Sequence, residues 1–178
     1  LTDISMEPEY SDICGISEND LHKYFEDSVA ELADANRLSI NECYKKLKDM
    51  YDGYHFSEDS EGMYNPFSLL NTLRSRKFKE YCFETGTPTL LVNVMKQTSF
   101  DVTTLSDNVV VPAAKLNGMQ DIVNKPVSLF FQTGYLTIKE YDSEYNEYRL
   151  GFPNDEVKNG FLNFIYSYYV PVNPADDS

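Results

Sequence analysis

Three aromatic-rich turns divide the first half of the chain and constrain its fold more than any other feature. Residues 51–56 read Tyr-Asp-Gly-Tyr-His-Phe, residues 64–70 read Tyr-Asn-Pro-Phe-Ser-Leu-Leu, and residues 83–89 read Phe-Glu-Thr-Gly-Thr-Pro-Thr. Glycine at 53 suits the left-handed position that follows a helix. Proline at 66 and at 88 suits the first turn of a helix. Each turn therefore predicts where one helix ends or the next begins.

Capping signals and apolar spacing predict the helices between these turns. Ser17 and Ser39 are each followed by an acidic residue three positions on, which is typical of helix N-termini. Apolar residues at helical spacing then predict a helical hairpin, with helices over 18–35 and 40–52. Asn65 and Thr87 are N-cap residues of two further helices, the second over 88–97. The buried face of the helix after Asn65 is predicted to consist of Phe67, Leu70 and Leu73.

The last third of the chain has a different pattern. Pro126 opens a short apolar helix that ends at Gly134, and β-rich segments over 135–141 and 147–152 flank a polar turn. This pattern is typical of a β-hairpin. Asn154 then caps a closing helix. Valines 109–111 are compatible either with a short strand or with an extended linker.

The predicted fold class is mainly α with a small β-hairpin. We expect a helical region over 1–100, a linker of uncertain structure over 101–124, and a winged-helix-like unit over 125–178. The apolar helix before the hairpin is expected to pack in a core, because a DNA-reading helix presents polar or basic side chains.

Charge and cysteine content limit the function classes. The net charge is −14, and residues 1–62 hold 16 acidic and 5 basic residues. Such a surface repels phosphate backbones, so nucleic-acid binding is disfavoured. The three cysteines form no CxxC pair, which argues against a zinc site and favours reduced thiols. No apolar run reaches the ~20 residues that span a membrane. A cytoplasmic protein with no membrane partner is expected.

Four cations gather after the helix that begins at Pro66. A helix C-terminus favours such cations electrostatically, and a contact with a phosphate or an acidic partner is the alternative. Glu84 lies in an aromatic-rich turn without a local structural reason, so it is a second candidate contact. The candidate interaction residues are Arg74, Arg76, Lys77, Lys79 and Glu84.

Catalytic motifs are absent from the sequence. It contains neither a GxxxxGK[ST] loop nor a GxGxxG loop, and its two histidines, His22 and His55, lie far apart. Glu156 and Lys158 have the spacing of the last residues of a PD-(D/E)xK nuclease motif. They fall in the first turn of a helix, however, where residues two apart point in different directions. We therefore expect no catalytic, cofactor-binding or metal-binding residue, and no enzyme activity of this chain alone.

Several motifs in order resemble a family of bacterial AAA-ATPase-like proteins that have a P-loop domain followed by a PD-(D/E)xK nuclease-like domain. The resemblance spans roughly residues 1–170. It rests on residues 1–5 and 14–15, on the three turns at 51–56, 64–68 and 83–88, and on 132–137 (Gln-Thr-Gly-Tyr-Leu-Thr). It implies that this chain is the segment after the P-loop core, with a helical lid-like region over 1–100 followed by the winged-helix-like unit. ATP and Mg²⁺ are therefore expected only for that core.

The sequence supports a main functional hypothesis and two alternatives. The main hypothesis is a non-catalytic regulatory or structural module whose partner is the ATPase core. The first alternative is a protein-interaction adaptor that docks another protein through the acidic hairpin over 17–52. The second is weak nucleic-acid binding through the winged helix or the basic residues 74–79.

Overall fold

A computed structural model describes residues 15–55, 61–84, 93, 95, 105, 109–116 and 126–169. The side chains of Phe83 and Glu84 lie outside this description, as do Cys14 and Phe56. So does most of the predicted helix over 88–97, and so do most residues of the predicted linker over 101–124.

The described part of the first half contains five helices, and three N-terminal signals act as the sequence predicts. Ser17 and Ser39 each form a capping box with the acidic residue three positions on. Asn65 caps the next helix, which has proline in its first turn. The helices are α1 (Glu18–Tyr24), α2 (Glu26–Ala35), α3 (Ile40–Tyr51), α4 (Pro66–Ser75) and α5 (Tyr81–Glu84).

The single helix predicted over 18–35 is wrong, because α1 and α2 are separate helices. Phe25 joins them with φ −124° and ψ 11°, outside the helical region. Its side chain packs against the core formed by α1 to α4. The helix thus breaks where the Phe25 ring packs against the core, and the spacing of apolar residues does not reveal this break.

The second half contains a three-stranded antiparallel sheet in the order β1-β3-β2. The predicted hairpin is confirmed as β2 and β3, and valines 109–111 form the outer strand β1 rather than an extended linker. The fold is therefore mainly helical with a small sheet. Its elements are β1 (Val109–Pro112), α6 (Ala113–Leu116), α7 (Pro126–Gln132), β2 (Thr137–Asp142), β3 (Glu147–Gly151) and α8 (Asp155–Tyr169).

Two hydrophobic clusters organise these elements. The helical core lies among α1 to α4 and has Leu21, Leu47 and Leu69 fully buried. The sheet core lies between the sheet, α7 and α8, and has Leu150 and Phe161 fully buried. Burial of Leu129 and Phe130 confirms that the apolar helix before the hairpin packs in a core. None of the described helices is long and apolar enough to cross a bilayer.

The predicted buried face of α4 is partly wrong. Phe67 and Leu70 are 47% and 45% exposed, whereas Ser68 and Thr72 are completely buried. Only Leu73 of the predicted face is buried. The helix is thus rotated so that the hydroxyls of Ser68 and Thr72 face the interior in place of the side chains of Phe67 and Leu70.

Gly53 lies where the two cores meet, and its backbone excludes any side chain. Its φ is +99°, and a Cβ atom there would overlap the carbonyl oxygen of Pro153, which precedes α8. Gly134 also has a positive φ, +78°, yet a Cβ there would be 3.7 Å from the Tyr54 ring, an ordinary contact. Both glycines supply a conformation that other residues rarely adopt, but only Gly53 is also needed for close backbone approach.

This difference predicts the outcome of a matched pair of substitutions. Gly134→Ala should lower the free energy of unfolding by about 1 kcal/mol, the strain of a positive φ alone. Gly53→Ala should lower it by about 3 kcal/mol or more, because backbone displacement at the junction adds to the strain. Urea unfolding followed by circular dichroism measures both values. Equal losses would contradict a close-packing role for Gly53.

Candidate functional site

Hydrogen bonds connect the two cores. The Asn154 side chain donates to the carbonyl oxygen of Asp52 at 2.9 Å and also accepts from the N–H of Val157, which caps α8. The Thr137 hydroxyl on β2 accepts from the N–H of His55 and lies 3.1 Å from its carbonyl oxygen. The end of α3 is thereby fixed against both the sheet and α8.

A cleft of about 440 Å³ opens beside this contact. It is formed by the end of α3, the middle of β2, and the segment from the end of β3 into α8. Its volume falls within the range of about 300–1,000 Å³ typical of small-molecule sites. The lining residues are Lys48, Asp49, Asp52, Gly53, Leu105, Lys139, Gly151, Phe152, Pro153, Asn154, Asp155 and Lys158.

Asp52 is the most buried ionisable group of the cleft. Its residue is 8% exposed, and its Oδ1 atom has no hydrogen-bond partner in the described part of the chain. Burial raises the pKa of its carboxyl, while the N–H of Gly53 and the ammonium of Lys48 oppose that shift. Burial thus has the larger effect on this carboxyl, and its neighbours offset only part of the desolvation.

Glu156 lies behind the cleft and connects the two cores from the inside. It is fully buried, and its Oε1 atom accepts a hydrogen bond from the N–H of Cys82 at 3.1 Å. Cys82 is the second residue of α5, so its N–H has no partner within that helix. Glu156 therefore caps α5 from a different part of the chain.

The Ser68 hydroxyl lies near the same carboxyl. Glu156 Oε2, Ser68 Oγ and Thr72 Oγ1 are all buried without a hydrogen-bond partner among the described residues. Ser68 nevertheless lies near enough to lower the pKa of Glu156 without reaching hydrogen-bond geometry. Burial outweighs these contributions and raises the pKa of the carboxyl. The rotation of α4 that buries Ser68 thus places a hydroxyl beside Glu156.

The five candidate residues predicted from sequence lie elsewhere. Arg76 forms an exposed ion pair with Glu31 at 2.6 Å. Arg74 and Lys77 are exposed near the end of α4, and the N–H of Lys79 donates to the Tyr51 hydroxyl at 3.1 Å. Glu84 ends α5, and its side chain is outside the described structure. None of the four cations lines the cleft.

Other sequence interpretations are resolved by burial. Glu156 is fully buried, whereas Lys158 is exposed in the cleft, so the two do not converge as a nuclease site requires. His22 is half exposed and lies 3.3 Å from Glu18. The described residues contain no cluster of three His, Cys, Asp or Glu that could hold a metal ion.

Sequence reasoning did not identify Asp52, Lys139 or Glu156 as parts of one site. The glycine after Asp52 signals a helix end, and Asn154 signals a helix start. Neither signal shows that the two positions touch. The segments around Asp52 and Asn154 share one feature that could have pointed to the site: each combines a helix boundary with several charged residues.

Comparisons with known proteins place the chain beside a longer relative. It is 34% identical over 173 residues to an uncharacterized protein in the vnfD 5′ region of Azotobacter chroococcum mcd 1. The match covers 96% of this chain and 31% of that protein, so the chain spans about a third of the length of the curated relative it matches. No family model and no solved structure matches the chain.

The buried position of Glu156 predicts how stability depends on pH. Its pKa is raised above the unfolded value of 4.5. Its contribution to stability is therefore greatest below that pH and is lost as pH rises through the folded-state pKa. Glutamine does not titrate, so the Glu156→Gln variant lacks this loss. The free energy of unfolding of the variant minus that of the parent should therefore increase from pH 5 to pH 8.

A second substitution distinguishes the charge from the hydrogen bond. Glu156→Ala removes the acceptor of the hydrogen bond that the N–H of Cys82 donates, and should lower stability at pH 5 by about 1–3 kcal/mol. Urea unfolding of the parent and both variants at several pH values measures these differences. A Gln variant with the same pH profile as the parent would contradict the assignment.

Proposed function

We propose that this chain is a non-catalytic regulatory or structural module of a cytoplasmic AAA-ATPase-like protein. The observation that carries the proposal is the junction, where two cores meet through a backbone contact at Gly53, cross-connecting hydrogen bonds and a buried carboxyl. Such a junction holds two packed units in one fixed arrangement. A regulatory module needs such a fixed arrangement, because a movement of one unit then moves the other unit with it.

The relative supports a role within a longer protein. Nearly all of this chain corresponds to less than a third of that protein. The motifs at 51–56, 64–68 and 132–137 resemble those of AAA-ATPase-like proteins, in which ATP and Mg²⁺ belong to the P-loop core. In this proposal the core is the partner of the module, and Glu84, at the end of α5, is a contact to it.

The proposal is tested by comparing two lengths of the same gene product. The 178-residue chain should show no ATP hydrolysis above background, whereas the protein expressed with its adjoining coding sequence should hydrolyse ATP. Gly53→Ala in the longer protein should change the hydrolysis rate, because it disturbs the junction. Gly134→Ala is the matched control and should leave that rate near the parent value.

Three results would contradict the proposal. Hydrolysis by the 178-residue chain alone would show that it is catalytic. A gene that encodes no P-loop would remove the partner. Equal hydrolysis rates for the parent and a folded Gly53→Ala variant would show that the junction does not regulate hydrolysis.

A further inference from the structure

The outer face of α4 carries an apolar stripe that ends in a cation. Phe67 and Leu70 are 47% and 45% exposed, and Arg74 is also exposed. These residues follow one another at intervals of three and four positions, so their side chains are neighbours on one face of the helix. Two adjacent apolar side chains on a surface favour any segment that covers them, because covering removes apolar area from water.

The charge around this stripe differs from that of the rest of the chain. Residues 62–79 contain four cations and no acidic residue, whereas the whole chain has a net charge of −14. Arg76 is paired with Glu31 of α2. Arg74 and Lys77 are exposed and form no ion pair with any described residue. The outer face of α4 therefore favours a segment that is both apolar and acidic.

Residues 1–14 of this chain have that composition. They contain four acidic residues and no basic residue, and apolar residues lie between the acidic ones. The acidic residues are Asp3, Glu7, Glu9 and Asp12, and the apolar residues between them are Ile4, Met6 and Tyr10. The segment is thus complementary to the outer face of α4 in both properties.

The point where these residues join the described fold lies beside the start of α4. Ile16 and Tyr64 form an antiparallel bridge, in which the N–H of each donates to the carbonyl oxygen of the other at 3.4 and 2.9 Å. Tyr64 is two residues before Pro66, where α4 begins. Fourteen extended residues span about 46 Å, whereas the ten residues of α4 are about 15 Å long. Residues 1–14 can therefore reach the whole outer face.

We propose that the outer face of α4 is a docking surface for residues 1–14, with apolar side chains of the segment on Phe67 and Leu70 and its carboxylates near Arg74 and Lys77. Covalent attachment gives the segment an effective concentration at this face on the order of millimolar. A few apolar and ionic contacts are then sufficient for docking. The inference concerns this chain alone and does not depend on the proposed ATPase partner.

The test is zero-length cross-linking of the complete 178-residue chain with a carbodiimide, which joins a carboxylate to a lysine ammonium group that touches it. Mass spectrometry should identify a cross-link between Lys77 and an acidic residue of 1–14. An equal mixture of ¹⁴N and ¹⁵N chains distinguishes a link within one chain from a link between two chains. The link to Lys77 should lie within one chain.

Two substitutions on the face have matched controls elsewhere. Leu70→Ser should reduce the yield of the cross-link about fivefold, the loss expected for half of a buried leucine side chain. Leu162→Ser is its control, because Leu162 on α8 is 46% exposed and should leave the yield unchanged. Arg74→Gln should also reduce the yield, whereas Lys45→Gln, at an exposed position of α3, should not.

Several outcomes would overturn the proposal. Absence of a cross-link between Lys77 and residues 1–14 would do so, as would equal cross-linking of these residues to Lys45. Equal losses in Leu70→Ser and Leu162→Ser would show that the apolar stripe of α4 is not the docking surface. Cross-links between ¹⁴N and ¹⁵N chains would show that a second copy covers this face instead.

Discussion

The backbone contact between Gly53 and Pro153 is the constraint on which the arrangement of the two cores depends. No side chain fits between these residues, so α3 and the segment before α8 approach more closely than packed side chains allow. That approach brings the carbonyl oxygen of Asp52 to the side chain that caps α8. The start of α8 is then fixed, with Glu156 directed into the interior and Lys158 exposed in the cleft.

Local signals made much of the fold predictable. Capping residues and prolines act within one helical turn, so Ser39, Asn65 and Asn154 were recognisable without knowledge of tertiary structure. The break at Phe25 and the rotation of α4 were not predictable in this way. Both depend on what the helix packs against, and apolar spacing favours Phe67 and Leu70 over the hydroxyls that are buried. The division at residues 100 and 124 stays a prediction.

The candidate site could not be predicted, because its members are distant in sequence and individually ordinary. Sequence reasoning favoured the cations at 74–79, which are neighbours along the chain. The cleft instead takes one lysine from each of three elements. The burial of Glu156 also cannot be recognised from the sequence, because acidic residues are common in the first turn of any helix for electrostatic reasons. Only the fold distinguishes the buried carboxyl from its exposed neighbour Asp155.

The cap that Glu156 places on α5 has a consequence for the order of folding. With four residues, α5 is far shorter than the ~12 residues at which an isolated helix becomes even marginally stable in water. Its N-terminal hydrogen bond comes from a residue 74 positions further along the chain. Contacts over such separations form late, since a long loop must close first. We therefore expect the described part of α5 to become stable only after α8 has docked onto the helical half of the chain.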